Sequence, residues 1–142
     1  MRIILSFLFA GITSVVYGQT KITVSVYGFQ NDKGVCRACL YNSADAFNGN
    51  GAAVQCVQVT ISGKKSTVVF QNVSSGTYAV SLFHDANNNN KFDTNFLGIP
   101  REGYGASKNN LPFAGAPTFN GNKFDVKNNT STNLTISLRY LF

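Results

Sequence analysis

Beyond residue 19 the apolar positions of the chain fall into short runs with a period of two. Ile22, Val24 and Val26 alternate with Thr23 and Ser25; Tyr78, Val80 and Leu82 share one side of segment 77–83; Leu134, Ile136, Leu138 and Tyr140 oppose Thr135, Ser137 and Arg139. Successive side chains of an extended chain point to opposite faces, so the alternation predicts strands with one face buried and the other wet. Further strands are expected at 35–41, 54–61 and 67–71, where β-branched and aromatic residues are bounded by the turn formers Asn31-Asp32-Lys33-Gly34, Ser62-Gly63-Lys64-Lys65 and Ser74-Ser75-Gly76. Helical spacing is confined to a turn or so at 43–47. Short strands at this density predict an all-β fold: an antiparallel β-sandwich of about seven strands with one long ordered loop, filling residues 19–142 as a single domain.

That loop, 85–118, breaks the regular spacing, and so long a connection is uncommon in a compact domain unless it is functional or held by something specific. Within it Asp85, Asn87, Asn89 and Asp93 place oxygen-bearing side chains at every second residue, and Lys91 offers a backbone carbonyl. A hard cation needs roughly six to eight oxygens, and this is the spacing by which a calcium loop wraps its ion. Asp85, Asn87, Asn89, Lys91 and Asp93 are therefore the candidate calcium ligands. Two positions depart from the pattern: Asn90 stands at the tight turn where Gly is expected, and Phe96 stands where the bidentate Glu belongs, leaving Glu102 or a backbone group to complete the shell. The competing reading is an Asn-rich turn whose side chains bond their own backbone. Phe92, Phe96, Ile99, Tyr104, Leu111 and Phe113 are spread along the same loop and are expected to tuck onto the sandwich as a satellite core, with a minority left for an exposed contact patch.

The N-terminus adds a location. Arg2 precedes an apolar stretch, 3–16, broken only by Ser6, Gly11, Thr13 and Ser14, and Val16 and Gly18 suit a cleavage site. Residues 1–18 are thus expected to be a signal peptide removed after Gly18; the stretch is shorter than the ~20 residues of a spanning helix, and no transmembrane segment is expected after cleavage. The protein is expected to be exported, whether periplasmic, outer-membrane-associated or extracellular. The formal charge is +6, but apart from Lys64-Lys65 the basic residues are scattered. With no basic stripe, and outside the cytoplasm, nucleic acid is not expected as a partner. Cys36 and Cys39 have C-x-x-C spacing yet lie in a strand, where no helix N-terminus lowers a thiol pKa. One of them is expected to pair with Cys56 across neighbouring strands, leaving an odd thiol buried or free.

The run His84-Asp85-x-Asn87-x-Asn89-x-Lys91-x-Asp93-Thr94-Asn95-x-x-Gly98-Ile99-Pro100-x-Glu102-Gly103-Tyr104-Gly105, followed by Ser107, Asn109-Asn110, Pro117-x-Phe119 and Lys123-Phe124, resembles the bacterial domain-of-unknown-function family number 2141. Gly34-Val35, Leu40-Tyr41-Asn42, Phe47 and Gly76-Thr77-Tyr78-Ala79-Val80 fit the same family. The resemblance implies a small exported bacterial protein with no established activity. The segment Val68-Val69-Phe70-x-Asn72-Val73-x-x-Gly76-Thr77-Tyr78-Ala79-Val80 also resembles a hairpin of transthyretin-like and collagen-adhesin B-type sandwiches, which implies an Ig-like or transthyretin-like architecture.

Three functions follow as expectations. The first is a non-catalytic binding or assembly module of the envelope or cell surface, its partner a surface protein or glycan met through the long loop. The second is a structural accessory subunit of an outer-membrane complex that offers its C-terminal strand, 134–142, as an edge. The third is an enzyme built around His84, the only histidine, but neither a nucleophile motif nor a phosphate loop nor a His/Cys zinc cluster accompanies it, so no catalytic residue is assigned.

Overall fold

A computed structural model of the protein describes residues 20–142; the expected leader, 1–18, lies outside the described residues. Eight strands and two single-turn helices follow one another: β1 (Lys21–Tyr27), β2 (Val35–Tyr41), α1 (Ala44–Phe47), β3 (Gln55–Thr60), β4 (Lys65–Phe70), β5 (Gly76–Asp85), β6 (Tyr104–Ala106), α2 (Phe119–Asn122), β7 (Phe124–Val126) and β8 (Ser131–Ser137). They form a three-stranded sheet in the order β4-β1-β8 and a five-stranded sheet in the order β3-β2-β5-β6, with β7 also on β5. This is the expected β-sandwich, with one more strand than the alternation suggested. Among the described residues no helix is long and apolar enough to cross a membrane.

The alternating residues meet between the sheets. Ile22, Val24 and Val26 of β1, Val68 and Phe70 of β4 and Ile136 of β8 face Cys36, Ala38 and Leu40 of β2 and Tyr78, Val80 and Leu82 of β5, all in one buried cluster. Each large side chain so buried stabilises the fold by about 1.5–3 kcal/mol relative to exposure.

Two departures from the expected layout concern pairing. β1 and β8 run parallel, from Lys21 opposite Ser131 to Tyr27 opposite Ser137. The chain reaches β8 from β7 in the other sheet, so the crossing sets its direction, which no local pattern encodes. And the long loop is interrupted by β6, whose three residues pair with Ser81, Leu82 and Phe83. β7 pairs with Gly76, Thr77 and Tyr78 further along the same side of β5. The two short strands together cover that side of β5, which needs both because neither spans it.

Local chemistry explains the turns. Gly63 and Lys64, both left-handed (φ 60° and 58°), connect β3 to β4, and their N–H groups donate to the Asp32 carboxylate at 2.9 and 2.7 Å. Ser43 caps α1 by accepting from the Ala46 N–H, and Thr118 caps α2 by accepting from the Gly121 N–H. The helical turn expected at 43–47 is α1. Cys39 and Cys56 stand directly opposite on β2 and β3 and form the disulfide, and Cys36 is the buried free thiol, its pKa pushed up to about 12 by burial.

Candidate functional site

β5 ends at Asp85 and the chain turns sharply at once. Asn88 and Asn90 take left-handed conformations (φ 58° and 65°), which Asn tolerates better than most residues, so Asn90 does occupy the tight-turn position assigned to it. The turn folds its N–H groups back onto the fully buried Asp85 carboxylate: Asn89 N–H donates to Oδ1 and Asn90 N–H to Oδ2, both at 3.0 Å. Arg37 of β2 completes the anchor, Nε lying 2.5 Å from Asp85 Oδ2, while its other nitrogens reach Gln58, Asn88 and Asn90. Burial pushes the Asp85 carboxyl up, but the Arg37 bond, the two backbone bonds and the guanidinium charge hold it below the ordinary value. Oδ1 accepts a single hydrogen bond and so keeps a lone pair.

The other predicted ligands gather beside this anchor. Asn87 Oδ1 accepts from Asn89 N–H at 3.2 Å, and Asn89 Oδ1 accepts from Lys91 N–H at 2.9 Å. The amides of Asn87 and Asn89 converge on the Asp93 carboxylate at 2.7 to 3.0 Å. Asp93 then meets Glu102, whose Oε2 accepts the Asp93 N–H at 3.0 Å. Glu102 is 8% exposed, and its Oε1 is buried without a hydrogen-bond partner. Burial raises its pKa first, and the Asp93 and Asp85 charges add to the rise; the Asp93 N–H opposes it, and the Ala86 N–H, committed to the His84 carbonyl at 3.0 Å, only weakly. Asn87, Asp93, Arg101 and Glu102 line a polar hollow of about 450 Å³. Among the described residues no three of His, Cys, Asp and Glu are grouped so as to hold a metal, so an ion here depends on amide and carbonyl oxygens as well. Phe96 stays clear of the hollow, almost wholly exposed.

His84 lies on the inner face of β5, 2% exposed and edge-on to Phe29. Its Nε2 donates to the Lys33 carbonyl at 2.7 Å, and its Nδ1 is hydrogen-bonded to the Tyr140 hydroxyl at 2.8 Å. Both nitrogens serve the fold. Ser107 is engaged elsewhere, accepting from Val80 N–H and donating to the Asn122 carbonyl. Asn122, fully buried, accepts from the N–H groups of Lys108 and Asn110 and donates to the carbonyls of Asn110 and Thr118, pinning the second half of the loop.

The C-terminal strand β8 is the edge of its sheet, as expected, and the loop covers part of that edge. Asn109 donates to the Thr135 carbonyl and accepts from Ser137 N–H, and Tyr104 and Arg139 exchange both backbone bonds. Two glycines make room for this seam: a Cβ on Gly103 would lie 2.2 Å from the Tyr140 ring, and one on Gly105 2.6 Å from Ile136 Cγ2.

Of the six apolar loop residues, Tyr104 is buried and Ile99 and Leu111 are half-buried, but Phe92, Phe96 and Phe113 are exposed. The satellite core therefore forms only in part. Phe92 still leans on Phe83 and Tyr104, with ring centroids 5.3 and 5.9 Å away. Sequence reasoning missed Arg37, which lies far from Asp85 along the chain, and Asn122, where no motif draws notice.

A two-sheet β-sandwich with a long, internally bonded Asp/Asn loop at one end is the class of protein these features define. The chain belongs to the family described as "Uncharacterized protein conserved in bacteria (DUF2141)", which matches residues 24–134. No curated protein and no solved structure matches it.

Proposed function

We propose that the protein is an exported, non-catalytic binding or assembly module of the bacterial envelope, whose loop holds a calcium ion and is thereby stiffened to present a recognition surface to an envelope protein or glycan. The observation that carries the metal is Glu102 Oε1, a buried carboxylate oxygen without a partner beside the Asp93 carboxylate. Leaving such a group unsatisfied costs about 1–3 kcal/mol or more, and a cation in the adjoining hollow removes that cost. Asn87 and Asp93 line that hollow with Glu102, which takes the role that Phe96 cannot fill; Asp85, Asn89 and the Lys91 carbonyl, the other expected ligands, lie outside its lining, and the Asn87 and Asn89 amides, which now turn their NH2 groups to Asp93, must rotate for their oxygens to meet an ion. A shell of the Asp93 and Glu102 carboxylates with otherwise neutral oxygens would suit the weak affinity of extracellular calcium modules. The non-catalytic part of the reading is supported by His84, whose two nitrogens are both committed to the fold.

The test is thermal unfolding of the purified protein in chelator, in millimolar calcium and in millimolar magnesium. A ligand at about 100 times its dissociation constant adds roughly 2.7 kcal/mol, which moves the midpoint of a domain this size by several degrees. Calcium should raise the midpoint and an Asp93→Ala variant should lose the response; identical midpoints in calcium and chelator would sink the metal.

A further inference from the structure

Eight large hydrophobic side chains are exposed among the described residues, and six of them, Phe92, Phe96, Leu97, Phe113, Leu141 and Phe142, line two hollows at one corner. Phe92, Leu97, Phe113 and Leu141 line a common hollow of about 500 Å³, and Phe96 and Phe142 line the one beside it. They come from three separate segments, so the cluster is a product of the fold and not of one greasy stretch. Nor is their exposure slack in the chain. Asn95 Oδ1 accepts from the N–H groups of Leu97 and Ile99 at 2.9 and 3.0 Å, and backbone bonds join Asn95 to Gly98 and Ile99, so a tight turn holds Phe96, 94% exposed, and Leu97 out in water. Phe113 is completely exposed.

Two guanidinium groups border this corner, one of which, Arg101, also lines the polar hollow of Asp93 and Glu102. Arg101 lines the hollow shared by Phe96 and Phe142, and the Arg139 guanidinium donates at 2.7 Å to the carbonyl of Pro112, next to Phe113. No Asp or Glu side chain lines either hollow, and without Arg2 of the expected leader the formal +6 of the chain becomes +5. The larger hollow contains no side-chain donor or acceptor except the Tyr104 hydroxyl. An acyl chain has no polar group to satisfy against walls so poor in polar side chains.

We propose that this corner is a docking surface for an anionic lipid bilayer: the aromatic and leucine side chains enter the interface while Arg101 and Arg139 face the headgroups. The proposal extends the exported-module reading by naming the partner of its exposed surface, and it does not depend on calcium.

The experiment is cosedimentation with vesicles in chelator, so that a failure of lipid binding and a failure of the metal leave each other's tests untouched. Vesicles of phosphatidylcholine alone are compared with three parts phosphatidylcholine to one of phosphatidylglycerol. The protein should pellet with the anionic vesicles, less so at high salt, and Arg101→Gln should weaken it. Phe96→Ser with Phe113→Ser should reduce partitioning roughly tenfold or more without lowering the melting midpoint, since both rings are exposed. If that double variant melts early, Phe96→Ser alone carries the comparison. Absence of the protein from the anionic pellet, or equal pelleting of variant and wild type, overturns the proposal. So does concentration-dependent self-association that the same variant abolishes while vesicles are ignored, because the corner then belongs to a second copy.

Discussion

At the scale of single residues, three positions show what burial and close approach demand. Gly34 is left-handed (φ 67°), and a Cβ there would lie 1.9 Å from the Asp85 carbonyl oxygen, a backbone atom that cannot swing away. Gly34→Ala should therefore destabilise by more than about 3 kcal/mol, seen as a shifted urea midpoint or as loss of folded protein. Asp85→Ala leaves Arg37 and two loop N–H groups without their acceptor and should cost about 2–4 kcal/mol by the same measurement. Cys36, with its thiol pushed up to about 12 by burial, should resist thiol reagents in the native state and react only on unfolding. In the unfolded chain this thiol ionises near its ordinary 9.0, whereas in the folded chain it stays neutral until about pH 12. Its contribution to stability is thus complete below pH 9 and lost as the pH rises towards 12, and Cys36→Val should flatten that alkaline decline. The turn at Asn90 was legible in the sequence because spacing alone puts it at the tight bend. Arg37 was not legible, because its partner arrives through strand pairing, Val35 opposite Asp85.

At the scale of elements, alternation carried most of the information. β1, β5 and β8 each turn inward the face that their period-two pattern nominates, since that face has only one place to go. β6 and β7 escaped notice because three residues are too few to show a period; what makes them strands is the unpaired side of β5. The fate of Phe96 and Phe113 was equally hidden, because composition says that a ring prefers burial and not whether the fold has room for it. The β2–β3 disulfide closes a loop of 17 residues, and reduction should lower the unfolding free energy by about 3 kcal/mol, checked by denaturation with and without reductant. Leu82 at the middle of β5 is 1% exposed, and Leu82→Ala should cost about 2–5 kcal/mol through the cavity it leaves.

At the scale of the whole molecule, the long loop carried by the sandwich divides into two regions. One, 85–102, folds polar groups inward around the Asp93 and Glu102 carboxylates; the other, with the C-terminal segment, turns aromatic side chains outward. Segment 92–102 belongs to both, so an ion held at one should stiffen the wall of the other. The central claim is that Glu102 awaits a cation, and the melting behaviour of Glu102→Gln tests it most directly. An amide removes the buried charge while keeping its shape. In chelator the variant should melt at or above the wild-type midpoint, and in millimolar calcium below it, because only the wild type gains the ion. A variant that falls below wild type by the same amount in both conditions would contradict the account, and Glu102 would then be a structural carboxylate of a self-bonded loop.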